Sequence, residues 1–420
     1  MQTSSGRPFR PISSSLVVAV LGAPVLLLVG ALGEGCVVPL SASPGAADGS
    51  ASGTTASFEA GAAAESSSGL SGSSGSSGSA GSSGASPPPS GTWTNATGNL
   101  AGIMSECGNL AVVSAKPDED LLIASVALVG LYGSRDGGNS WQPLGTGAGS
   151  ATITNRGQVI VYDPMNSMRF WEAGIYHPDG VYETMDDGVT FTDLGNESPG
   201  DDVSVDFSDP NRQTLVAGGH EASGLLNLST NGGMTWTSIA AGLPTMTNCT
   251  NSLIFDSKTF LVGCGGYNNG MPGIWRTTDQ GATWTNVSTG GGVDAPLLAS
   301  DGSVYWVGPG GSSVVRSTDQ GMTWTTIISS QGVVNPAHAI ELPDGRIALT
   351  GPNTLMVSAD HGMTWNAAST TLPYQDSVGL TYSKQEKAFY IWHFSCASSG
   401  APNPVPSDGV MKYAFDYESQ

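Results

Sequence analysis

The sequence predicts an all-β fold: a ring of seven four-stranded antiparallel sheets, with a six-membered ring as the alternative. Three observations predict it. One turn motif occurs six times, its copies stand one sheet apart, and the two ends of the array carry complementary parts of one more sheet. The motif is a Ser or Thr, an Asp or Asn two residues on, a Gly, and an aromatic three residues after the Gly. Its copies begin with Ser134-Arg-Asp136-Gly-Gly138-Asn-Ser140-Trp141 and Thr184-Met-Asp186-Asp-Gly188-Val-Thr190-Phe191. Ser229-Thr-Asn231-Gly-Gly233-Met-Thr235-Trp236 and Thr277-Thr-Asp279-Gln-Gly281-Ala-Thr283-Trp284 follow. The last are Ser317-Thr-Asp319-Gln-Gly321-Met-Thr323-Trp324 and Ser358-Ala-Asp360-His-Gly362-Met-Thr364-Trp365. Their Asp or Asn positions lie 50, 45, 48, 40 and 41 residues apart. A period of about 40–50 residues is that of one four-stranded blade of a β-propeller.

Each motif residue has a local reason. Apolar stretches such as Gly273-Ile-Trp275-Arg276 precede the copies and Trp-Thr segments follow, so the motif is a tight connection inside a β-hairpin. A short carboxylate or amide accepts hydrogen bonds from neighbouring backbone N–H groups, as in an Asx-turn. The Gly suits a position with φ > 0. The Ser or Thr hydroxyl adds a second local cap, and the aromatic opens the outer strand with a large apolar area to bury. Asp136, Asp186, Asn231, Asp279, Asp319 and Asp360 are therefore architectural.

Each repeat reads as strands a, b, c and d, with the motif between c and d. In the second blade, strand a is Gln158–Asp163, strand b Arg169–Tyr176 and strand c Val181–Thr184. Ahead of the first blade, Gly91-Thr92-Trp93-Thr94-Asn95 matches Ala282-Thr283-Trp284-Thr285-Asn286, a d strand without its motif. After the sixth motif, Val378–Ser383 reads as strand a, Ala388–Phe394 as strand b, and Gly409-Val-Met-Lys412 as strand c, with no d strand after it. A seventh blade assembled from both ends closes the ring without a bare sheet edge. A six-bladed ring would leave one end segment unpaired.

The six motifs resemble the Asp-box, or BNR repeat, of sialidase-like propellers. The resemblance implies that the boxes sit on the propeller face away from the ligand site. Sialidases use three arginines, a Tyr–Glu pair, an acid/base Asp and a Phe/Tyr-Arg-Ile/Leu-Pro string. The nearest string here is Phe9-Arg10-Pro11-Ile12, out of order and near the N-terminus. Arg135, Arg276 and Arg316 fall in or just before boxes, Arg169, Arg212 and Arg346 near a–b turns, and Arg156 alone is placed for the other face. Sialidase chemistry is not expected. Xyloglucanase-type hydrolases carry two such propellers, and this chain has length for one. Single seven-bladed Asp-box propellers of the photosystem-assembly-factor type bind protein, which suits the architecture better. Sortilin-type receptors use more blades.

Composition fits a turn-rich all-β chain: 420 residues with 59 Gly, 39% hydrophobic and only 12% charged. With 14 Lys+Arg against 35 Asp+Glu, net −21, nucleic acid is not an expected partner, because phosphate binding needs clustered cations. Arg7 and Arg10 precede the apolar run Leu16–Leu32, which leads to Leu32-Gly-Glu-Gly-Cys36. This resembles a bacterial lipoprotein signal, with Glu34 a departure from the usual box, and implies residues 1–35 as signal peptide and Cys36 as the lipidated residue. A plain secretory signal and an uncleaved anchor are the alternatives. Residues 36–90 are read as a disordered tether, their Ser, Gly and Ala ending in Pro87-Pro-Pro89 and offering too little apolar surface to fold. The propeller occupies 91–420. The expected location is the bacterial cell envelope, as an outer-membrane or cell-surface lipoprotein, or else secretion.

Cys36 aside, four cysteines remain, an even number that in an exported protein suggests two disulfides. The blade map selects Cys249–Cys264 within the fourth blade and Cys107–Cys396 across the closure.

The face opposite the boxes, made by b–c and d–a connections around the channel, is where propellers usually bind ligands. Candidate ligand contacts there are Tyr176, His177, His220, Tyr267, Asn268, Trp306, His338, Tyr374, Trp392 and His393. The aromatics are read either as stacking surfaces for a sugar or peptide or as inter-blade packing. Candidate carboxylates for a glycoside hydrolase are Asp179, Glu221, Asp201, Asp202, Asp294 and Asp376. Such an enzyme needs two of them about 5–10 Å apart. No two histidines share a tight ligand spacing, so no metal and no cofactor is expected. The sequence thus favours a monomeric binding module for a protein, peptide or glycan, with a glycoside hydrolase as the alternative.

Overall fold

The computed structural model describes residues 91–419 other than 106–109, 146–152, 176–179, 196–199, 220–223, 245–247, 266–271, 309–312, 330–338, 352, 375–378, 394–402 and 406–407. Seven four-stranded antiparallel sheets follow one another as the blades of a β-propeller, so the six-bladed alternative does not hold. In blade 1, strands a to d are Leu110–Ala115, Leu122–Val126, Gly130–Ser134 and Gln142–Pro143. Blade 2 is Arg156–Tyr162, Phe170–Ile175, Gly180–Thr184 and Thr192–Asp193, and blade 3 is Asp202–Val205, Leu215–Gly218, Leu226–Ser229 and Thr237–Ser238. Blade 4 comprises Asn248–Ile254, Phe260–Gly265, Gly273–Thr277 and Thr285–Ser288. Blade 5 comprises Val293–Leu298, Val304–Val307, Ser313–Ser317 and Thr325–Ser329. Blade 6 is Ile340–Glu341, Ile347–Gly351, Thr354–Ser358 and Asn366–Ser369.

Blade 7 takes strands a, b and c from Gly379–Ser383, Ala388–Trp392 and Val410–Ala414, and its outer strand from Trp93–Asn95 at the other end of the array. Trp93 stands opposite Tyr413 and Asn95 opposite Met411. The Trp93 indole tilts against the Tyr413 ring and donates to Thr371 O of blade 6 at 2.8 Å. The chain then passes beneath the seam. Leu100 is fully buried, Asn99 Nδ2 donates to Trp141 O, and Trp141 N donates back to Asn99 Oδ1. Met104–Ser105 pairs with Asn403–Pro404 as a small extra ribbon that was not anticipated.

Strand b is the buried centre of each blade, as its nearly continuous apolar sequence requires once sheets cover both of its faces. Every residue of Leu122–Val126, Phe170–Ile175, Val304–Val307 and Ala388–Trp392 is buried. Outer strands such as Thr192–Asp193 and Thr237–Ser238 are two residues long and exposed, which limits edge-to-edge association.

The six repeated turns show one hydrogen-bond pattern. In blade 5, Ser317 Oγ donates to Asp319 Oδ1 at 2.8 Å and accepts Gly321 N at 2.9 Å. Asp319 in turn accepts Thr323 N and the Thr323 hydroxyl. These bonds to the ionised carboxylate hold its pKa below the usual range, against the opposing effect of burial. Blade 3 substitutes Asn231, whose Nδ2 donates to Thr235 Oγ1 at 2.8 Å, so the hydroxyl turns from donor to acceptor. The residue before the Gly also adopts positive φ, 64° at Asp187 and 58° at His361.

The turns also join the blades. A Cβ added at Gly281 would lie 2.7 Å from Ile239 Cβ, and one at Gly233 would lie 2.6 Å from Leu194 Cδ1, both in the preceding blade. The following indoles reach the same way, Trp236 Nε1 to Leu194 O and Trp284 Nε1 to Ile239 O, each at 2.9 Å.

Gly281→Ala is expected to lower stability by about 2–3 kcal/mol, through both its φ of +82° and the contact with Ile239. Asp319→Asn is expected to stay within ~1 kcal/mol of the parent while Asp319→Ala costs about 1–2 kcal/mol; urea unfolding measures all three. Trp93→Ala is expected to cost about 2–3 kcal/mol by loosening the seam, read as a lower thermal midpoint.

Candidate functional site

The face opposite the repeated turns is built on the inner strands and the b–c and d–a connections. Tyr176, His177, Asp179, His220, Glu221, Tyr267, Asn268, His338 and Asp376 lie outside the described residues, as do Cys36, Cys107 and Cys396. The candidates within them divide into three groups: those brought together, those committed to packing, and those enclosed between blades.

Tyr374 and His393, predicted from separate segments, are brought together. Their rings stack at 3.9 Å between centroids and 16° between planes. Tyr374 is on the connection into blade 7. His393 ends that blade's strand b, where its N–H donates to Gly409 O at 3.1 Å. Tyr374 is buried, at 7% exposure, in the core shared with Leu355, Leu380 and Phe389, which corrects its reading as a ligand surface, and His393 beside it is half-buried.

Trp306 and Trp392 do not offer stacking surfaces. They are 1% and 2% exposed, which corrects that expectation and leaves the packing reading. Trp306 Nε1 donates to Asp294 O at 2.8 Å, and its ring lies over Gly263 of blade 4. Trp392 Nε1 donates to Ala111 O of blade 1 at 3.0 Å, and its ring covers Gly379. Each glycine sits where a side chain would collide with the indole.

The candidate carboxylates among the described residues are Asp201, Asp202 and Asp294. Asp294 has φ 63° and its Oδ1 accepts Ala295 N at 2.8 Å, so it shapes an irregularity of its own strand. Asp201 N donates to Gly218 O. Asp202, at 5% exposure, points into the interface with blade 4, where its Oδ2 accepts Ser252 N at 2.8 Å and Ser252 Oγ at 3.0 Å. Ser204 Oγ contacts Ser252 Oγ at 2.8 Å beside it. Burial pushes the Asp202 carboxyl up to about 7, and the neighbouring Asp201 charge acts in the same direction, against the two Ser252 bonds. Asp202 is enclosed, which removes it from contact with a bound substrate.

Six of the seven arginines after residue 90 are occupied on the other side of the molecule. Arg212 forms a buried pair with Asp163, binding blade 3 to blade 2. Arg135 bonds Glu119, Arg169 bonds Glu183, and Arg276 Nε donates to Gln320 O across to blade 5. Arg316 bonds Ser303 and Asp301, and Arg346 bonds Asp344 and Tyr417 O. A groove of about 200 Å³ on that side is lined by Arg276, Thr277, Thr283, Thr285 and Met322. Cys249 and Cys264, register partners in strands a and b of blade 4, are joined by a disulfide. Among the described residues, no three His, Cys, Asp or Glu side chains gather as metal ligands.

One buried acid was not singled out from the sequence. Glu172 lies at the centre of strand b in blade 2, fully buried between blades 1 and 2. A charged residue inside the run Phe170-Trp-Glu-Ala-Gly-Ile175 was the available signal.

The Asp202 shift sets a pH dependence. Its folded pKa lies above the unfolded value of 3.8, so the stability it contributes is present below about pH 4 and is lost as pH rises to about 7. Asp202→Asn keeps an acceptor for Ser252 and is expected to remove that decline. Denaturant unfolding of parent and variant from pH 4 to pH 8 measures it.

No protein-family model matches the chain, and no curated protein matches it. The solved structures that resemble it share the propeller fold at low identity. A streptogramin B lyase superposes with a TM-score of 0.54 at 10% identity, over 78% of this chain and 99% of that one. The GH74 xyloglucanase from Xanthomonas campestris gives 0.51 at 16% identity, over 78% of this chain and 56% of the enzyme, so this chain spans little more than half of it. YCF48 bound to a D1 peptide gives 0.49 at 14% identity, over 78% and 97%.

Proposed function

We propose that this protein is an exported, lipid-anchored Asp-box β-propeller that binds a protein, peptide or glycan at the cell surface without turning it over. Residues 1–35 act as the signal peptide, Cys36 carries the lipid, 36–90 form the tether and 91–420 the binding domain. The ligand meets the face opposite the boxes. His393 belongs to that surface in this reading, together with Tyr176, His177, His220, Tyr267, Asn268 and His338.

The observation that carries the non-catalytic reading is that, among the described residues, Asp202, Asp294 and six of the seven arginines are spent on structure. Asp202 is enclosed by Ser252, Asp294 caps its own backbone, and six arginines are held away from this face. The acidic charge has an architectural source of the same kind. Asp163, Asp206, Asp256, Asp301 and Asp344 each accept a backbone N–H within their own a–b turn. Five more aspartates serve the boxes.

Glycan and peptide arrays probed with the full-length protein test the binding role. A ligand whose capture falls at least about tenfold on His393→Ala, a loss of ~1.4 kcal/mol, supports this face. Glycan hydrolysis abolished by Asp179→Asn or Glu221→Gln would overturn the non-catalytic reading in favour of a glycoside hydrolase. Cys36→Ala is expected to shift the protein from the membrane fraction to the soluble fraction; an unchanged distribution would refute the lipid anchor.

A further inference from the structure

Glu172 presents a problem of hydrogen-bond accounting. Trp171 and Ala173 pack on blade 3, so the alternation of a strand turns Glu172 towards blade 1. Its partner is Asn155, fully buried just ahead of strand a, whose Nδ2 donates to Glu172 Oε2 at 3.2 Å. Glu172 Oε1 and Asn155 Oδ1 are both buried oxygens that no donor reaches. Ser125 Oγ, from blade 1, takes the Gly157 N–H at 3.1 Å. A Cβ on Gly157 would lie 2.7 Å from Glu172 Oε1 and 2.6 Å from Ser125 Oγ, so the acid is packed directly against a strand that must be glycine there.

A carboxylate leaves two acceptors without donors in a buried interface, a costly arrangement. A carboxylic acid does not. It has one O–H and one free carbonyl oxygen, and a primary amide has the complementary oxygen and N–H. One proton accounts for both orphan atoms.

We propose that Glu172 is a carboxylic acid in the folded protein, its Oε1–H donating to Asn155 Oδ1 while Asn155 Nδ2 donates to Oε2. This two-point pair is a proton-dependent joint between blades 1 and 2. It lies directly behind the candidate binding face, because Asn155 ends the connection between those blades. The adjacent Thr154 O accepts Leu128 N, from the b–c turn of blade 1, at 2.9 Å. Loss of the proton would set acceptor against acceptor and loosen both connections at once.

The groups around Glu172 leave burial in command. Gly157 faces it from strand a, Tyr182 is its register partner on strand c, and Ser125 faces it from blade 1. Burial raises its pKa to about 8 and the Asn155 bond opposes the shift. Between the unfolded value of 4.5 and about 8, the folded chain holds a proton that the unfolded chain has released. Stability from this joint therefore falls with rising pH across that window and levels off above it.

The test compares the full-length parent with Glu172→Gln, which replaces acid–amide pairing by amide–amide pairing, and with Asn155→Ala. From pH 5 to pH 8 the parent's unfolding constant is expected to rise on the order of 100-fold more than that of Glu172→Gln. Infrared spectra at pH 6 are expected to show a protonated-carboxyl C=O band that Glu172→Gln lacks, that disappears near pH 8 and that shifts in Asn155→Ala. The difference against Glu172→Gln separates it from Asp202. Equal pH slopes, or no such difference band, would overturn the protonated acid. An unshifted band in Asn155→Ala would overturn the pairing. Should Glu172→Gln not fold, the parent's band titration and its response to Asn155→Ala still decide both points.

Discussion

The structure depends on one small interaction, the hydroxyl–carboxylate–glycine lock of the turn between strands c and d. Taken alone it closes a hairpin, with the Ser or Thr oxygen accepting the glycine N–H and the Asp or Asn oxygen accepting the N–H four residues on. Its larger effect is to carry that glycine, and the aromatic after it, against the preceding blade. Gly233 and Trp236 both meet Leu194, and Gly281 and Trp284 both meet Ile239. Stability of the turn and angle between blades are therefore one constraint. The residue before the glycine tolerates a left-handed backbone even as Asp187, Gln280, Gln320 or His361, because the bonds on either side determine the turn.

The closing seam repeats this arrangement without the turn. Trp93 holds the place in blade 7 that Trp284 holds in blade 4, and its indole likewise donates into the preceding blade, to Thr371 O. Because its strand comes from the far end of the array, the ring closes by backbone pairing of distant segments. The stretch from Asn99 to Ser105 then ties blade 1 to the same seam. Ring closure is a long-range contact and carries a larger loop-closure cost than the local hairpins.

Much of this was legible in the sequence, because a tight turn is local chemistry and repeats make it conspicuous. The blade count followed from Trp93-Thr-Asn95 standing ahead of the array and a three-strand remainder after it. The site was less legible. Trp306 and Trp392 look like ligand platforms in a one-dimensional reading, and the fold uses them as wedges over Gly263 and Gly379. Asp202 looks like a surface acid, yet it is enclosed because strand a of blade 3 turns it towards Ser252. An inward or outward side chain differs by one residue of strand register, and composition does not encode that register.

The sequence by itself determined the architecture: hairpin turns, blade period, seven-bladed closure and the structural use of the repeated aspartates. Each follows from bonds made within a few residues or from complementary ends. Only the tertiary structure decided which polar groups are exposed and which are buried between blades. It stacked Tyr374 on His393 and set Glu172 against Asn155. The physical reason is that desolvation belongs to the interface between two sheets, and neither sheet's sequence alone specifies what its neighbour will cover.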